Sequence, residues 1–505
     1  MNNSGKNAQA YRQVVDAFKS KKKGATVADI VAKTALPLEQ VKELVPQAAD
    51  EYGGRLEVTE SGEILYSFPQ GFKSRYRGFG VTLKKGLHAL ARGLGFIGKW
   101  AFKVWIMLML VGYFVFFMAI ALLALVASVA VSASGSSDNR SSSRRGDGLG
   151  GMYLVSSIFN LIIRISFYSE ITKYIDRSYY GSAYSRTAKP KGKPLNQAVF
   201  SFVFGDGDPN ADWDKREKQA VIAYIQANKG VISLPEFMIL TGARPLEAED
   251  QIKRYCVEFG GMPEATEDGT IVYRFDALLL RNDTTDRSFG SLSAPIKRLL
   301  TFSANPKKLN RWFLFFNAVN LLFGGYFLYS ASTVGPLVSQ GQIHGSSYLY
   351  AVAYILFSGF IRNPHTFITI VLGVVPILFA LLFYLIPGLR YLKLQKQNDA
   401  IKMNNLRKEM FRRIWEAPDR VILTEVNPQS DELRPQNLEK GREIVVKDLG
   451  AYSSPDVALQ EDGKLLYRFT ELQREKEALL KYRESLGTDT SKLGKTVFDT
   501  AKEIT

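Results

Sequence analysis

The sequence predicts a mainly α-helical membrane protein that carries three small soluble α+β repeats, the third of them degenerate. Three observations lead to this fold class. A short β-hairpin motif occurs three times, apolar segments of membrane length lie between the copies, and basic residues concentrate beside those segments. The chain has 505 residues and a formal net charge of +16, so it is long enough for several domains.

The repeated motif is Gly-x-apolar-apolar-Tyr-x-Phe, a polar turn at glycine followed by apolar residues that face alternately in and out. It occurs at Gly62–Phe68, Gly269–Phe275 and Gly463–Phe469, each time after an acidic turn. This pattern predicts the second strand of a β-hairpin. The first two copies align without gaps at a shift of 207 residues (269 minus 62), and Gly53-Gly54 matches Gly260-Gly261 upstream. One module is therefore used more than once.

The first copy predicts three helices followed by a hairpin. The first helix has apolar residues at helical spacing, a Leu-Pro turn separates the second from the third, and the glycine pair suits a helix C-cap. The predicted elements are helices Ala10–Ser20, Val27–Thr34 and Leu38–Tyr52 and strands Arg55–Thr59 and Ile64–Phe68. This order resembles a winged-helix domain, the helix-turn-helix variant whose β-hairpin forms the wing.

The third copy is degenerate. Its first helix (Leu406–Glu416) and final hairpin fit the pattern, but Asn427–Gly450 is longer and more polar than the equivalent region elsewhere. We divide the chain into residues 8–70 (first repeat), 71–103 (basic juxtamembrane segment), 104–168 (membrane helix pair), 194–280 (acidic loop and second repeat), 311–392 (two full spans and one half-helix) and 404–485 (third repeat).

The charge of the repeats argues against nucleic-acid binding, because only a basic face neutralises phosphates. Ala10–Gln70 holds eight Lys and Arg against nine Asp and Glu, Lys218–Asp276 holds six against nine, and Arg407–Thr470 holds eleven against twelve. The helix that would enter the major groove, Leu38–Glu51, is net acidic. We therefore expect the repeats to bind protein partners or to be structural.

The basic excess lies beside the apolar segments. Gly71–Lys103 contains eight Lys and Arg and no acidic residue, and Lys173–Lys193, Arg281–Arg311 and Arg390–Lys408 are also basic. Such flanks mark the cytoplasmic side of a membrane protein and contact anionic lipid headgroups. The charge therefore indicates a membrane rather than nucleic acid.

Four apolar segments are predicted to cross the membrane, which requires about 20 residues each. They are Val104–Ala133, Met152–Phe167, Trp312–Ser332 and Phe367–Leu389. Tyr348–Ile361 is too short for a straight crossing and is predicted to be a half-helix. The basic flanks then place both termini and all three repeats on the cytoplasmic or stromal side of a multi-pass membrane protein.

An acidic loop before the second repeat has the ligand spacing of a calcium loop, in which oxygens fall at positions 1, 3, 5, 7, 9 and 12. Ala211 stands where such a loop normally has glycine. Alternatively, Asp212 or Asp214 caps a helix that begins near Lys215, or the acids pair with the basic stretch Lys189–Lys193. The candidate calcium ligands are Asp206, Asp208, Asn210, Asp212, Asp214 and Glu217.

A family resemblance covers the same region. Phe200–Asn210, together with the Gly-Gly pair and the Tyr-Arg-Phe hairpin of the second copy, resembles poorly characterised membrane proteins of cyanobacteria and plastids. The resemblance is strongest over Pro194–Asp276. It implies a multi-span membrane protein of that kind and assigns no catalytic residue.

Other chemistry finds little support in the sequence. The single cysteine, Cys256, excludes an intramolecular disulfide, and His88, His344 and His365 lack metal-ligand spacing. No P-loop, nucleophile elbow or His-Glu-x-x-His motif is found. Arg164 interrupts an apolar segment, where it either has a function or extends towards the membrane surface. We therefore predict no catalytic residues and no cofactor other than calcium.

These observations predict a non-enzymatic integral membrane scaffold or adaptor that presents its repeats to protein partners. An oligomeric transporter or channel component is the alternative, since the half-helix Tyr348–Ile361 and Pro376 are features that a permeation path would use. A homo-oligomer could build such a pore. A membrane-tethered DNA-binding regulator ranks below both.

Overall fold

The computed structural model describes residues 3–21, 24–75, 98–134, 194–282, 294–343, 347–428, 430–461, 463–487 and 493–500. Most of them are helical, and the strands form three small antiparallel sheets. The described residues group into two compact units. The repeat unit contains the described parts of 1–82, 208–300 and 396–505, and the apolar unit contains those of 83–207 and 301–395.

The first repeat folds in the predicted order of helices and strands. Its elements are α1 (Asn3–Lys19), α2 (Val27–Thr34), α3 (Leu38–Tyr52), β1 (Arg55–Thr59) and β2 (Ile64–Ser67). Thr26 and Asp29 form a reciprocal capping box that fixes the start of α2. The predicted bounds of α2 and α3 match the structure, whereas α1 begins at residue 3 rather than at residue 10.

The chain then contributes two helices to the apolar unit. A π-helical turn (Leu108–Gly112) leads into α4 (Tyr113–Ser134), and α5 (Leu195–Phe204) is a short apolar helix. The predicted span Val104–Ala133 lies in this first helical segment, of which Gly98–Ala130 is long and apolar enough to cross a membrane. The second predicted span, Met152–Phe167, lies outside the described residues.

The second repeat has the same order of elements and adds a strand after its first helix. Its elements are α6 (Trp213–Ala227), β3 (Val231–Ser233), α7 (Leu234–Thr241), α8 (Pro245–Phe259), β4 (Met262–Ala265) and β5 (Ile271–Arg274). The three strands pair antiparallel in the order β3-β5-β4. In that register Ile232 lies opposite Tyr273, and Glu264 lies opposite Val272.

The repeated glycine pair has a different task at each position. Gly260 ends α8 in the left-handed region (φ +71°), which glycine adopts without strain. Gly261 leaves room for Phe275, because a Cβ there would lie 2.7 Å from two atoms of that ring. In the first repeat a Cβ on Gly54 would lie 3.0 Å from the Phe68 ring. In both repeats the second glycine of the pair therefore leaves the space into which the final Phe of the motif packs.

The rest of the apolar unit continues after the second repeat. Its elements are α9 (Lys307–Thr333), α10 (Gly335–Ser339), α11 (Tyr348–Ser358), α12 (Pro364–Phe367), a π-helical turn (Ile368–Val374) and the first part of α13 (Val375–Glu416). Lys307–Thr333 and Pro364–Glu416 are long and apolar enough to cross a membrane, and they contain two further predicted spans. The predicted half-helix is α11, with 11 residues.

The third repeat begins within α13. The predicted separate helix Leu406–Glu416 is instead the end of a continuous helix of 42 residues, because the intervening residues are strong helix formers without glycine or proline. A single 3₁₀ turn at Leu423–Glu425 stands where the other repeats have their second helix. The remaining elements are β6 (Val421–Ile422), α14 (Leu438–Gly450), β7 (Asp456–Leu459), β8 (Leu465–Arg468), α15 (Thr470–Ser485) and β9 (Thr496–Asp499).

The sheets of the second and third repeats share one strand order, since β6-β8-β7 matches β3-β5-β4. In the first repeat the counterpart of β3 is reduced to a bridge between Ala25 and Tyr66, and β9 pairs with the other edge, on β1. One hydrophobic core includes buried residues from all three repeats, such as Val41, Phe237 and Phe469. The three repeats therefore fold as parts of one unit.

Candidate functional site

Hydrogen bonds within the chain hold the first half of the acidic loop. Asp206 accepts hydrogen bonds from the Ser201 hydroxyl (2.7 Å) and from the backbone N–H of Ala304 (2.6 Å). The Asn210 side chain donates to the carbonyl of Arg298 (2.7 Å) and accepts from its N–H (2.9 Å). These bonds satisfy oxygens that a cation would require. The basic stretch considered as an alternative partner lies outside the described residues.

The second half of the loop begins α6. Asp208 accepts a bond from the N–H of Asn210 (2.8 Å), and the helix starts at Trp213 rather than near residue 215. Asp212 precedes the helix without a side-chain capping bond, whereas Asp214 lies in the first turn, where a negative charge is favourable. In the described part of the chain, no three His, Cys, Asp or Glu residues group as metal ligands. Calcium binding stays a prediction.

Glu217, the sixth candidate ligand, lies in a buried polar cluster. Its carboxylate accepts bonds from the indole N–H of Trp213 (3.0 Å) and from Lys408 Nζ (3.3 Å). Lys408 is 2% exposed, also donates to the carbonyl of Pro295 (3.0 Å), and lies 4.7 Å from the centre of the Trp213 ring. The cluster satisfies a buried ammonium group and attaches the end of α13 to α6.

A second buried charge pair joins α15 to the second repeat. Glu236 is 1% exposed and accepts two bonds from the Arg483 guanidinium (2.9 and 2.7 Å) and one from the Tyr224 hydroxyl (2.6 Å). The same carboxylate accepts the backbone N–H of Ser233 in a capping box at the start of α7. Burial and the nearby carboxylate raise the pKa of Tyr224. This network is structural, because its carboxylate, guanidinium and hydroxyl groups bond to one another, and only Arg483 Nε is left without a partner among the described residues.

A cleft of about 520 Å³ in the repeat unit contains a titratable acid. The Tyr452 hydroxyl donates to both oxygens of Glu475 at 2.9 Å. Burial raises the pKa of Glu475 to about 7, although the bond from Tyr452 opposes that shift. The cleft therefore changes its charge near neutral pH. Its charged lining residues are Glu249, Lys253, Glu471, Arg474 and Glu475.

The outer face of α8 is apolar and acidic. Leu246 is 78% exposed and Val257 is 84% exposed, and because they are eleven positions apart they lie on the same side of the helix. Two cations on this helix pair with its own acids, Arg244 with Glu247 (3.2 Å) and Lys253 with Glu249 (3.9 Å). These cations are partly neutralised. The face therefore suits a protein surface better than a phosphate backbone.

The equivalent helix of the first repeat, α3, has the same character. Its exposed charges are Glu39, Lys42, Glu43 and Asp50, and Lys42 pairs with Glu39 at 2.8 Å. The beginning of α3 also packs closely against the end of α8. A Cβ placed on Gly260 would lie only 3.1 Å from the Leu38 side chain. A helix that contacts its neighbour in this way is restricted in entering a DNA groove.

The cysteine and the histidines supply no reactive group among the described residues. Cys256 is half-buried, and burial raises the pKa of its thiol to about 11, so it is protonated at neutral pH. His365 Nδ1 forms a hydrogen bond with the Tyr350 hydroxyl (2.8 Å). His88, His344 and Arg164 lie outside the described residues.

In the apolar unit, two fully buried asparagines on α9 stabilise neighbouring helices. Asn320 Nδ2 donates to the carbonyl of Leu110 in the first π-helical turn (2.8 Å), and Asn317 Nδ2 donates to the carbonyl of Ala380 (3.0 Å). The Oδ1 atoms of both have no hydrogen-bond partner among the described residues. Both π-helical turns line an apolar cavity of about 320 Å³, beside which Tyr113 donates to the carbonyl of Val371.

Comparison with known proteins finds one uncharacterized relative. It is a chloroplastic protein of Arabidopsis thaliana that is 24% identical over 426 residues, which covers 81% of this chain and 73% of the relative. No family model matches the chain, and no solved structure matches it. The predicted resemblance to uncharacterised plastid proteins is therefore confirmed, and the relative supplies no activity.

Proposed function

We propose that the chain is a non-enzymatic integral membrane scaffold whose repeats present surfaces to protein partners. The observation that carries this proposal is the outer face of α8, where Leu246 and Val257 stand exposed among acids. Apolar surface that is rimmed by polar and charged residues is the form that protein interaction sites take. Ion pairs on the same helix reduce the positive charge that nucleic acid requires.

The repeats are proposed to be winged-helix modules. In the second repeat the chain forms a helix, a strand, two helices and a hairpin, and the first strand pairs with the last in the order β3-β5-β4. That topology supports the winged-helix assignment. In it, α8 occupies the position of the recognition helix, so the acidic and apolar character of α8 favours a partner protein over DNA.

The scaffold is proposed to lie in a plastid membrane with its repeats on the stromal side. In the part of the chain that the structure describes, three helices are long and apolar enough to cross a membrane, and the relative from Arabidopsis thaliana is described as chloroplastic. The basic flanks of the apolar segments favour the same side for all three repeats. Reporter fusions at Ser143 and Thr505 test this topology, and a lumenal or external Thr505 would contradict it.

Proximity labelling from the N-terminal repeat in the native membrane tests the scaffold. The wild-type chain is compared with a Leu246→Glu and Val257→Glu double variant and with Leu480→Glu, which alters an exposed leucine on α15. We expect the double variant to lose a defined set of labelled proteins that both the wild type and the control retain. Equal labelling by all three, at equal abundance, would refute a role for this face.

Transport remains the second candidate, and one observation favours it. The Oδ1 atoms of Asn317 and Asn320 are buried without a partner among the described residues, both on a helix of membrane length, and polar groups inside a membrane often mark ion or substrate pathways. An oligomeric transporter or channel would give flux in liposomes that contain the purified chain. Asn320→Leu would alter that flux, whereas a scaffold gives none above empty liposomes.

A further inference from the structure

In the first repeat the outer edge of the hairpin is covered by another part of the same chain. β9 pairs antiparallel with β1, with Phe498 opposite Val58. Leu56 donates its N–H to the Thr500 hydroxyl (3.1 Å), and its carbonyl accepts the N–H of Thr500 (3.2 Å). An extended segment therefore completes the sheet by adding one strand to an open edge.

In the second repeat the equivalent edge is blocked by proline. The shift of 207 residues that aligns the repeats makes Pro263 on β4 the counterpart of Leu56. Thr266 N–H bonds to the carbonyl of Thr270, so by the alternation of an antiparallel ladder Pro263 and Ala265 direct their backbone groups outward. Proline has no N–H to donate there, and it commonly protects edge strands.

In the third repeat the equivalent edge is open. The motif shift of 401 residues (463 minus 62) makes Val457 and Leu459 on β7 the counterparts of Leu56 and Val58. Gln460 N–H bonds to the carbonyl of Lys464, so Val457 and Leu459 direct their N–H and C=O groups away from β8. In the described part of the chain, no strand pairs with this edge.

The side chains along β7 are exposed where those of β1 are covered. Val58 lies between Phe498 of the added strand and Ile64 on β2 and is half-buried, and Ile64 is 37% exposed. Its counterpart Leu465 is 47% exposed, and Leu459, which lies opposite, is 73% exposed. The pair in the third repeat therefore has the apolar surface that an added strand would cover.

The charge at the edge is reversed between the two repeats. Arg55 on β1 forms an ion pair with Asp499 of β9. Its counterpart on β7 is Asp456, which is exposed. Arg468 lies opposite Asp456 on β8, but Asp456 is on the strand next to an added one, so an acid at the position of Asp499 would be repelled and a basic side chain attracted. The edge of β7 is therefore unsuited to β9 itself and suited to a segment of opposite charge.

We propose that the outer edge of β7 binds an extended segment of a protein partner, paired antiparallel as β9 is with β1 and carrying a basic side chain beside Asp456. The proposal rests on the proposed scaffold function and names the kind of partner that the third repeat takes. Backbone hydrogen bonds to Val457 and Leu459 supply affinity, and the charge at Asp456 supplies selectivity.

A fluorescent peptide tests the proposal on the full-length chain in detergent. The probe is residues 493–500 of this chain with Asp499→Lys, and the comparison probe is the unaltered peptide. We expect the Lys probe to bind about fivefold more tightly, since a cross-strand charge pair replaces a repulsion. Asp456→Arg, which copies the first repeat, should reverse that preference. Fluorescence polarisation measures both affinities.

Val457→Pro places in the third repeat the proline that the second repeat already has. Val457→Pro should abolish binding of the Lys probe, whereas Val457→Thr, which keeps the backbone N–H, should retain that binding. Both variants should have a Tm close to that of the wild type. No binding by the wild type, or binding that Val457→Pro leaves unchanged, overturns the proposal. A dimer that Val457→Pro dissociates would overturn the named occupant, because a second copy would then fill the edge. Variants at Leu246 and Val257 test the scaffold separately.

Discussion

Replacing Gly261 by alanine tests why the glycine pair recurs. A Cβ would lie 2.7 Å from both Cδ1 and Cζ of Phe275, whereas carbon atoms pack at about 3.5–4.0 Å, so the ring must move by about 1 Å. Phe275 is fully buried, and overpacking of a core costs about 1–3 kcal/mol. We expect the upper end, about 3 kcal/mol, because the overlap involves several ring atoms. At about 2–4 °C per kcal/mol, the Tm of the repeat unit falls by about 6–12 °C.

Thermal unfolding of the full-length chain in detergent, followed by fluorescence, measures this effect against two matched glycines. Gly54→Ala should lower the Tm less, because its Cβ would lie 3.0 Å from the Phe68 ring. Gly487→Ala should not lower it, since that residue of the repeat unit has no positive φ and has open space around it. A Tm of Gly261→Ala equal to that of Gly487→Ala would refute the packing argument.

Three further predictions concern buried charges. Arg483→Met should destabilise the repeat unit by about 3–5 kcal/mol in urea unfolding, because Glu236 is left buried without its cation. Adding Glu236→Gln should restore part of that loss. Strictly additive effects of the two substitutions on the free energy of unfolding would contradict the pairing. Folding raises the pKa of Glu475 to about 7, so its contribution to the free energy of unfolding is fully present below about pH 4.5 and is lost as the pH rises through 7, by roughly 3 kcal/mol at most. Glu475→Gln should therefore flatten the fall in Tm between pH 5 and 8. An unchanged slope would refute the assignment. Glu217→Gln should lower the free energy of unfolding by about 2 kcal/mol, because it weakens the bonds to Trp213 and Lys408, and the loss should be equal with and without millimolar Ca²⁺. A Ca²⁺-dependent rise in Tm in the wild type alone would instead establish the calcium site.

The sequence predicts the repeats well because their signals are local. The glycine at the hairpin turn, the Leu-Pro turn before α3 and the left-handed glycine after α8 each depend on neighbours within a few residues. Hence the bounds of α2, α3 and β1 agree with the structure. The acidic character of the third helix in the first two repeats could likewise be read from its charged residues, and it argued against a basic recognition helix.

The rest depends on contacts between distant residues. Glu217 looks like a cation ligand in the sequence, but its partner Lys408 lies 191 residues away. The strand β9 has only four residues and no motif, so its pairing with β1 could not be predicted. The raised pKa of Glu475 likewise depends on burial, which no local pattern records.

The shared core changes what the three repeats can do together. Since buried residues of all three belong to one hydrophobic cluster, the outer face of α8 and the edge of β7 are carried by one compact unit rather than by independent modules. When a partner binds at one of two sites in the same unit, its effective concentration at the other site rises. A partner that engages both sites would therefore bind far more tightly than it would through either contact alone. Loss of either site should then weaken capture strongly. A partner that uses a single site would show no such dependence, and the comparison of the α8 double variant with Val457→Pro distinguishes these cases.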